Sequence, residues 1–180
     1  MRPDWFRDKN VLELGSGTGA ASIAIGLFSG ARDVTATDHK SLLDLLQSNV
    51  RRNQAQELVQ VVELDWKLPL GIAVEEKLQN LDVLVMADVV YFESLHDAML
   101  ETLDRIVSSV PEEKRKNLEL ILVHRVRDAE SETRFFKRLS ERFALIEEQV
   151  DDFKFDGELE LDALHPGIIV QKGRSVSFTS

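Results

Sequence analysis

Short apolar runs alternate along the chain with longer segments in which apolar residues recur every three to four positions. Runs of this length are typical of strands buried on both faces, and the longer segments have the periodicity of amphipathic helices. The predicted strands are Lys9–Leu14, Asp33–Thr37, Leu58–Leu64, Leu81–Ala87, Leu118–His124, Phe143–Val150 and Gly167–Gln171. The predicted helices are Gly19–Ser29, Ser41–Gln54, Glu93–Val110 and Asp128–Arg142. Strands that alternate with helices indicate an α/β, doubly wound, mainly parallel sheet.

Two local signals refine this pattern. Ser41 and Asp44 have the spacing of a capping box, which predicts that a helix begins at Ser41. Within the acidic stretch Glu147–Asp162, an Asp-Gly turn lies between the alternating halves of Phe153–Leu161 and predicts a β-hairpin. Because the chain contains neither a linker nor a repeat, residues 1–180 are expected to form one domain.

Composition and charge narrow the function classes. The sequence lacks an apolar run of about 18 residues, so no membrane association is expected. The charged segment Met1–Asn10 lacks a signal peptide's apolar core, which predicts a cytoplasmic protein, with the nucleus as the alternative. The absence of cysteine excludes disulfides, thiolate metal sites and cysteine nucleophiles, and the four histidines lack metal-ligand spacing. The formal net charge of −10 disfavours general nucleic-acid binding, which depends on neutralising phosphates.

The segment between the first predicted strand and helix is rich in glycine. It reads Val-Leu-Glu-Leu-Gly-Ser-Gly-Thr-Gly, with glycine at positions 15, 17 and 19. Glycines permit a sharp turn there and let a ligand approach bare backbone. Because Ala20 follows, the segment also satisfies the dinucleotide pattern G-x-G-x-x-G/A. This loop predicts a nucleotide-type ligand without separating NAD from other candidates.

Glu13 separates the candidate cofactors. A carboxylate two positions before Gly15 would repel a pyrophosphate by roughly 1–4 kcal/mol at about 4 Å. The same carboxylate suits a cofactor that carries an ammonium and a sulfonium and no phosphate. S-adenosylmethionine has these properties, whereas a solvent-exposed or lysine-paired Glu13 would carry no such information.

Polar residues follow three further predicted strands, at the carboxyl edge where such sheets bind ligands. Asp38 closes the second strand and can accept hydrogen bonds from both ribose hydroxyls of an adenosine. Asp65 can accept from an adenine amino group while the indole of Trp66 covers the ring, although a core role for that indole is as consistent. Asp88-Val-Val-Tyr91 directly follows the fourth strand, and packing alone does not explain its polar residues.

These motifs together resemble the seven-β-strand methyltransferases, and more narrowly the lysine-methylating group called methyltransferase family 16. The combination of Leu-Asp-Trp at 64–66 with Ala-Asp-Val-Val-Tyr at 87–91 is much more specific than the glycine loop. The resemblance is strong from Val11 to about Leu103 and looser through His124-Arg125 and Phe135-Phe136. It implies a Rossmann-like, mainly parallel seven-stranded sheet with helices on both faces and an antiparallel last strand.

The resemblance also implies site roles. Asp88 and Tyr91 border the opening for a lysine side chain, and we assign them as the catalytic pair, with Asp88 orienting the neutral amine for in-line attack on the sulfonium methyl. S-adenosylhomocysteine would be the product. No metal is implied. The residues implied to bind S-adenosylmethionine are Glu13, Gly15, Ser16, Gly17, Gly19, Asp38, Asp65, Trp66 and Ala87.

The expected function is S-adenosylmethionine-dependent methylation of a lysine that a protein substrate presents. One alternative is methyl transfer to a small molecule or nucleic acid, although Val89-Val90 replaces the Pro-Pro of adenine N6 enzymes. A second is a cofactor-binding regulatory protein without turnover, and an NAD dehydrogenase is the weakest. Family members have a longer segment before the first strand than the ten residues here, so the N-terminal family segment is expected to be largely absent from this domain.

Overall fold

Seven strands form one sheet in the computed structural model, which describes residues 3–148 and 168–175. They lie in the order β3-β2-β1-β4-β5-β7-β6. Neighbouring strands from β3 through to β5 pair in parallel, and β7 is antiparallel to both β5 and β6. The strands are β1 (Asn10–Leu14), β2 (Asp33–Asp38), β3 (Val59–Glu63), β4 (Val83–Ala87), β5 (Glu119–Arg125), β6 (Phe143–Glu148) and β7 (Ile168–Ser175).

Helices connect most of the successive strands. Short 3-10 turns at Pro3–Trp5, Lys40–Leu42 and Glu93–Leu95 precede β1, α2 and α4, respectively. The helices are α1 (Ala20–Phe28), α2 (Leu43–Arg52), α3 (Ile72–Leu78), α4 (His96–Ser109), α5 (Glu112–Arg115) and α6 (Ala129–Leu139). None of the helices in the described ranges is long and apolar enough to cross a membrane.

Alternate residues of the central strands pack on opposite faces of the sheet. In β1, Leu12 and Leu14 belong to one buried cluster, which α3, α4 and α6 complete. Val11 belongs to a second buried cluster, completed by α1 and α2. The period-two alternation of strand side chains therefore gives the sheet helices on both faces, which confirms the predicted doubly wound, mainly parallel architecture with an antiparallel last strand.

Two details differ from the sequence prediction. Helix α3 was not predicted, because only Val74 and Leu78 of its seven residues are buried and Ile72 is 76% exposed. The predicted helix start at Ser41 is wrong. Here the His39 ring accepts a hydrogen bond from the Ser41 backbone N–H at 3.2 Å and caps a 3-10 turn, so α2 begins only at Leu43. The predicted hairpin at 153–161 lies outside the described residues, and the single-domain expectation stays a prediction.

Candidate active site

A cavity of about 830 Å³ opens at the carboxyl edge of the sheet. It lies where the strand order reverses between β1 and β4, the position at which doubly wound sheets bind ligands. The loops after β1, β2, β3 and β4 and the start of α1 supply most of its wall. Because parallel strands end at one edge, side chains far apart in the sequence converge on this cavity.

The glycine loop after β1 has the backbone conformation that its sequence predicts. Gly15, Gly17 and Gly19 have φ angles of 68°, 55° and 83°, in the left-handed region that favours glycine. A Cβ on Gly15 would lie 2.8 Å from Val89 Cγ1, whereas a Cβ on Gly17 would face open space. A Cβ on Gly19 would lie 2.5 Å from Leu46 Cδ1. Gly19 is not among the cavity residues, so its conformation and its contact with α2 explain the glycine there.

Glu13 is 1% exposed and borders the cavity from β1. Its Oε2 accepts hydrogen bonds from the Ser22 hydroxyl and from the Ser22 backbone N–H, the latter at 3.1 Å. Burial raises the pKa of the Glu13 carboxyl above its ordinary value of 4.5, and the Ser22 hydrogen bonds oppose that rise. A buried carboxylate beside the loop can therefore meet a cationic group of a ligand.

The Asp38 carboxylate crosses from β2 to the glycine loop. Its Oδ2 accepts from the Gly17 backbone N–H at 2.7 Å, and its Oδ1 accepts from the His39 backbone N–H at 2.6 Å. The Ser16 backbone N–H donates to the Thr37 carbonyl at 2.9 Å. These bonds fix the loop against β2, and each carboxylate oxygen keeps a lone pair for a ligand hydroxyl.

Asp65 and Trp66 follow β3 along another side of the cavity. The Asp65 Oδ1 accepts from the Lys67 backbone N–H at 2.9 Å, and its Oδ2 lies 3.8 Å from His39 Nε2. The Trp66 ring lies against Gly15 and packs partly on the larger buried cluster. Trp66 thus lines the cavity and also contacts the core, which agrees with both of the roles that the sequence allowed for it.

The Trp66 backbone is anchored to α4. Its carbonyl accepts from Thr102 Oγ1 at 3.1 Å and from Arg105 Nη2 at 2.7 Å. Both donors lie on the helix that packs on the larger buried cluster. The indole is therefore held by secondary structure, although its own segment is a loop.

Asp88 and Tyr91 lie where the segment after β4 reaches the opening of the cavity. Asp88 has a φ of 57°, and its backbone N–H donates to the Val123 carbonyl of β5 at 2.6 Å. Its carboxylate accepts two hydrogen bonds from Arg127, at 2.6 and 2.7 Å. The Arg127 guanidinium holds the pKa of the Asp88 carboxyl below its ordinary value. Tyr91 is 50% exposed, with Phe92 4.3 Å away between ring centroids.

Arg127 is the functional residue that the sequence prediction missed. It borders the cavity, and its Cζ lies 5.5 Å from the centroid of the Tyr91 ring. The Glu132 Oε1 accepts from the Arg127 backbone N–H at 2.9 Å and ties that residue to α6. A signal was present, because Arg125 ends β5 and Arg127 follows it, while Asp88 directly follows the neighbouring strand β4. Sequence alone did not establish that β4 and β5 are adjacent.

The structure brings nearly all of the predicted site residues to one cavity. Within the described ranges, no group of three or more histidine and carboxylate side chains could hold a metal ion. The predicted residues that line the cavity are Glu13, Gly15, Ser16, Gly17, Asp38, Asp65, Trp66, Ala87, Asp88 and Tyr91. The lining residues that were not predicted are Thr18, Ala20, Ala21, His39, Leu42, Leu64, Lys67, Val89, Phe92, Leu95 and Arg127. Several of the latter are apolar, and their position depends on tertiary contacts.

Several solved structures share this architecture. The methyltransferase domain of bacterial CtHen1-C superimposes with a TM-score of 0.64 at 12% identity, covering 94% of this chain and 90% of that one. Aeropyrum pernix fibrillarin in complex with S-adenosyl-L-methionine gives a TM-score of 0.60 at 14% identity, covering 93% of this chain and 67% of that one. At such low identity these matches show the fold alone.

Sequence comparison identifies the family. The protein-lysine methyltransferase METTL21E of Bos taurus is 36% identical over 149 residues, covering 81% of this chain and 47% of that protein. The protein N-lysine methyltransferase METTL21A of Danio rerio is 33% identical, covering 81% and 62%, respectively. The chain thus spans about half the length of the curated relatives it matches. A family model described as lysine methyltransferase matches residues 2–142, and the chain therefore belongs to the lysine methyltransferase family.

Proposed function

We propose that this protein is an S-adenosylmethionine-dependent protein-lysine N-methyltransferase. The observation that carries the proposal is a single cavity with two chemically different regions. The glycine loop, Asp38 and Trp66 surround one region, whereas Asp88 and Tyr91 lie at the opening. The first suits an adenosine-containing cofactor, and the second suits an amine that arrives from solvent.

The residues present fit S-adenosylmethionine. A Cβ on Gly15 would meet Val89, and one on Gly17 would project into open space, so the loop leaves bare backbone beside the cavity. The buried Glu13 carboxylate would meet the ammonium of the methionine part, and Asp38 would accept from the ribose hydroxyls. Trp66 would cover the adenine. When bound, the cofactor supplies a methyl group already activated by its sulfonium.

The protein's own contribution is to present a neutral, oriented lysine amine. A free lysine with a pKa of about 10.4 is mostly charged at neutral pH, and losing that proton costs roughly 4–5 kcal/mol. The half-exposed rings of Tyr91 and Phe92 form an aromatic wall for the lysine side chain, and the positive charge of a bound cofactor would favour the neutral amine. The Asp88 side chain is half exposed, so its carboxylate is ionised at neutral pH and acts as a hydrogen-bond acceptor that orients the amine.

A protein substrate is supported by the relatives, which are named as protein-lysine methyltransferases in mammals, fish and yeast. The net charge of −10 supports a substrate with a basic segment around the lysine and argues against general nucleic-acid binding. We further propose a cytoplasmic location, with the nucleus as the alternative.

Calorimetric titration of the purified chain with S-adenosylhomocysteine and with NAD tests the cofactor. We expect micromolar binding of S-adenosylhomocysteine and none of NAD. Transfer of a labelled methyl group from S-adenosylmethionine to lysines of lysate proteins then tests the reaction. Cofactor binding without transfer to any protein would favour the regulatory alternative, and transfer to a small molecule or nucleic acid would favour the other one.

Replacement of Asp88 tests the catalytic assignment. We expect Asp88→Ala to reduce kcat by roughly 10²–10³-fold with intact S-adenosylhomocysteine binding, because the amine loses the group that orients it. Asp97→Ala is the matched control, since Asp97 is also an exposed carboxylate paired with an arginine, here Arg138 at 2.5 Å, but lies outside the cavity. Full methyl transfer by Asp88→Ala would show that the assignment is wrong.

A further inference from the structure

We propose that Arg127 is a specificity-determining residue, whose guanidinium occupies the position of the target lysine's ammonium in the free protein and must be exchanged for it. This inference rests on the proposed function, since it concerns how that site accepts its substrate. The Arg127 side chain is then a competitor of the substrate lysine at the opening of the cavity. Only a lysine whose binding gains more free energy than is lost when Arg127 leaves Asp88 and Tyr91 would displace the arginine.

Arg127 makes the contacts that a bound lysine ammonium would need. Its two terminal nitrogens donate to the two oxygens of Asp88, at 2.6 and 2.7 Å. Its Cζ lies 5.5 Å from the centroid of the Tyr91 ring, within the range of a cation–π contact. One cation thus uses both of the groups that the proposed mechanism assigns to the substrate.

The Asp88 backbone directs this arrangement. A φ of 57° is uncommon for a residue with a side chain, although aspartate tolerates it better than most. The hydrogen bond from the Asp88 N–H to the Val123 carbonyl ties the segment that follows β4 to β5. Such conformations cluster at functional sites, and here the result is a carboxylate at the opening of the cavity, where it is 51% exposed.

The pair can open without refolding. The Arg127 side chain is 42% exposed, and exposed ion pairs contribute little to stability because water competes for both partners. Its backbone is fixed independently, since the N–H donates to Glu132 Oε1 at 2.9 Å. The guanidinium also donates to the Arg125 carbonyl at 3.1 Å, a contact that does not involve Asp88. Exchange therefore requires a side-chain rotation alone.

The chain offers a matched control for removing this arginine. Arg125 is exposed and lies two residues away, and within the described ranges its side chain has neither a hydrogen bond nor an ion pair. Arg127→Met and Arg125→Met remove the same charge from the same strand end. Only the first removes the guanidinium from Asp88 and Tyr91. A difference between the two variants therefore reports the direct contact and not the change in net charge.

Equilibrium binding without turnover is the first test. The probe is N-acetyl-lysine methylamide, titrated into the chain saturated with S-adenosylhomocysteine and followed by NMR, with N-acetyl-norleucine methylamide as the probe without an ammonium. We expect Arg127→Met to bind the lysine probe about three- to tenfold more tightly than the wild type, the range of an exposed ion pair plus a cation–π contact. Arg125→Met should match the wild type. Equal or weaker binding by Arg127→Met, or no binding by any form, would overturn the proposal.

The second test is steady-state kinetics with a protein substrate that accepts the methyl group. Competition predicts that Arg127→Met raises kcat/KM three- to tenfold through a lower KM. Alternatively, Arg127 could stay on Asp88 and favour loss of the lysine proton. Arg127→Met would then have a lower kcat, and its pH–rate profile would shift to higher pH. That result would overturn the exchange. If the wild type transfers no methyl group, the proposed function fails, and the lysine-probe titration still decides the role of Arg127.

Discussion

A single carboxyl group, that of Glu13, is placed where fold stability and cofactor binding make opposite demands. Burial raises its pKa above 4.5, so ionisation at neutral pH disfavours the folded state. In sign, the stability associated with this group is fully present below pH 4.5 and is lost as pH rises through the folded-state pKa. The ionised form is nevertheless the one that would attract a ligand ammonium. The proposed contact with the cofactor ammonium would account for a buried acid that the fold alone would not favour.

Replacing Glu13 by glutamine should separate the two demands. Glu13→Gln keeps an oxygen for the Ser22 donors, so we expect the free energy of unfolding at neutral pH to stay equal or rise. Affinity for S-adenosylhomocysteine should fall about 10- to 100-fold, the value of a hydrogen bond between charged groups. Calorimetry measures the affinity, and denaturant titration measures the free energy of unfolding. The control variant is Glu63→Gln, at an exposed position of β3. Unchanged affinity would mean that Glu13 does not contact the ammonium.

Much of the site could be predicted one residue at a time, because each predicted residue follows a strand and carries its own chemistry. Arg127 could not be predicted in this way. Its role depends on the adjacency of β4 and β5 and on the Glu132 hydrogen bond from α6. Gly19 shows the reverse situation, since its pattern suggested ligand contact, whereas it does not line the cavity and a Cβ there would meet Leu46 on α2. Contacts between segments that are distant in the sequence depend on the tertiary structure, which the pattern around one residue does not show.

Among the elements, β5 and α6 meet through a buried pair, and the pair makes their contact sensitive to pH. The side chains of His124 and Glu132 are 2% and 5% exposed, with His124 Nδ1 3.7 Å from Glu132 Oε2. Desolvation lowers the pKa of the His124 imidazole below its ordinary value of 6.5, although the Glu132 carboxylate opposes this. The folded state therefore holds His124 neutral over a pH range in which the unfolded chain is protonated.

We expect the free energy of unfolding to fall as pH decreases from above 6.5 through the folded-state pKa of His124. The sign follows because the unfolded state binds more protons in that interval. Denaturant titrations at a series of pH values measure the slope, and His124→Gln should flatten it. A slope that survives in His124→Gln would assign the dependence to other groups.

The strands were more predictable than the helices. All seven strands were found from apolar runs, since strands buried on both faces have continuous apolar sequences. Helix α3 was missed because a stripe of two buried residues, Val74 and Leu78, is too short to show helical periodicity. The start of α2 was misplaced because His39, which is not a usual capping residue, accepts the capping hydrogen bond.

At the scale of the whole molecule, a ligand in the cavity contacts segments from both halves of the sheet, on either side of the β1/β4 switch point. Anything that binds the folded state alone stabilises it by mass action, by about 2.7 kcal/mol at a ligand concentration of 100 times Kd. For a chain of this size that corresponds to an increase in Tm of roughly 5–11 °C.

Thermal unfolding with S-adenosylhomocysteine at that concentration should show this increase, and NAD should leave Tm unchanged. Glu13→Gln should show a smaller increase at the same concentration, because its Kd is higher. An increase in Tm with NAD would support the alternative function of an NAD dehydrogenase. Unfolding that stays the same with both ligands would mean that neither binds the folded chain.

The placement of β7 has a consequence for biosynthesis. Among the described strands β7 is the last in the sequence, yet it lies between β5 and β6, and its hydrogen bonds join β6 to the rest of the sheet. Until residues 168–175 have left the ribosome, the outer edge of β5 has unpaired backbone groups, and β6 lacks the neighbour that β7 provides. Open strand edges promote association with other chains. Nascent chains that have not yet released β7 are therefore more prone to associate with other chains than the completed sheet is.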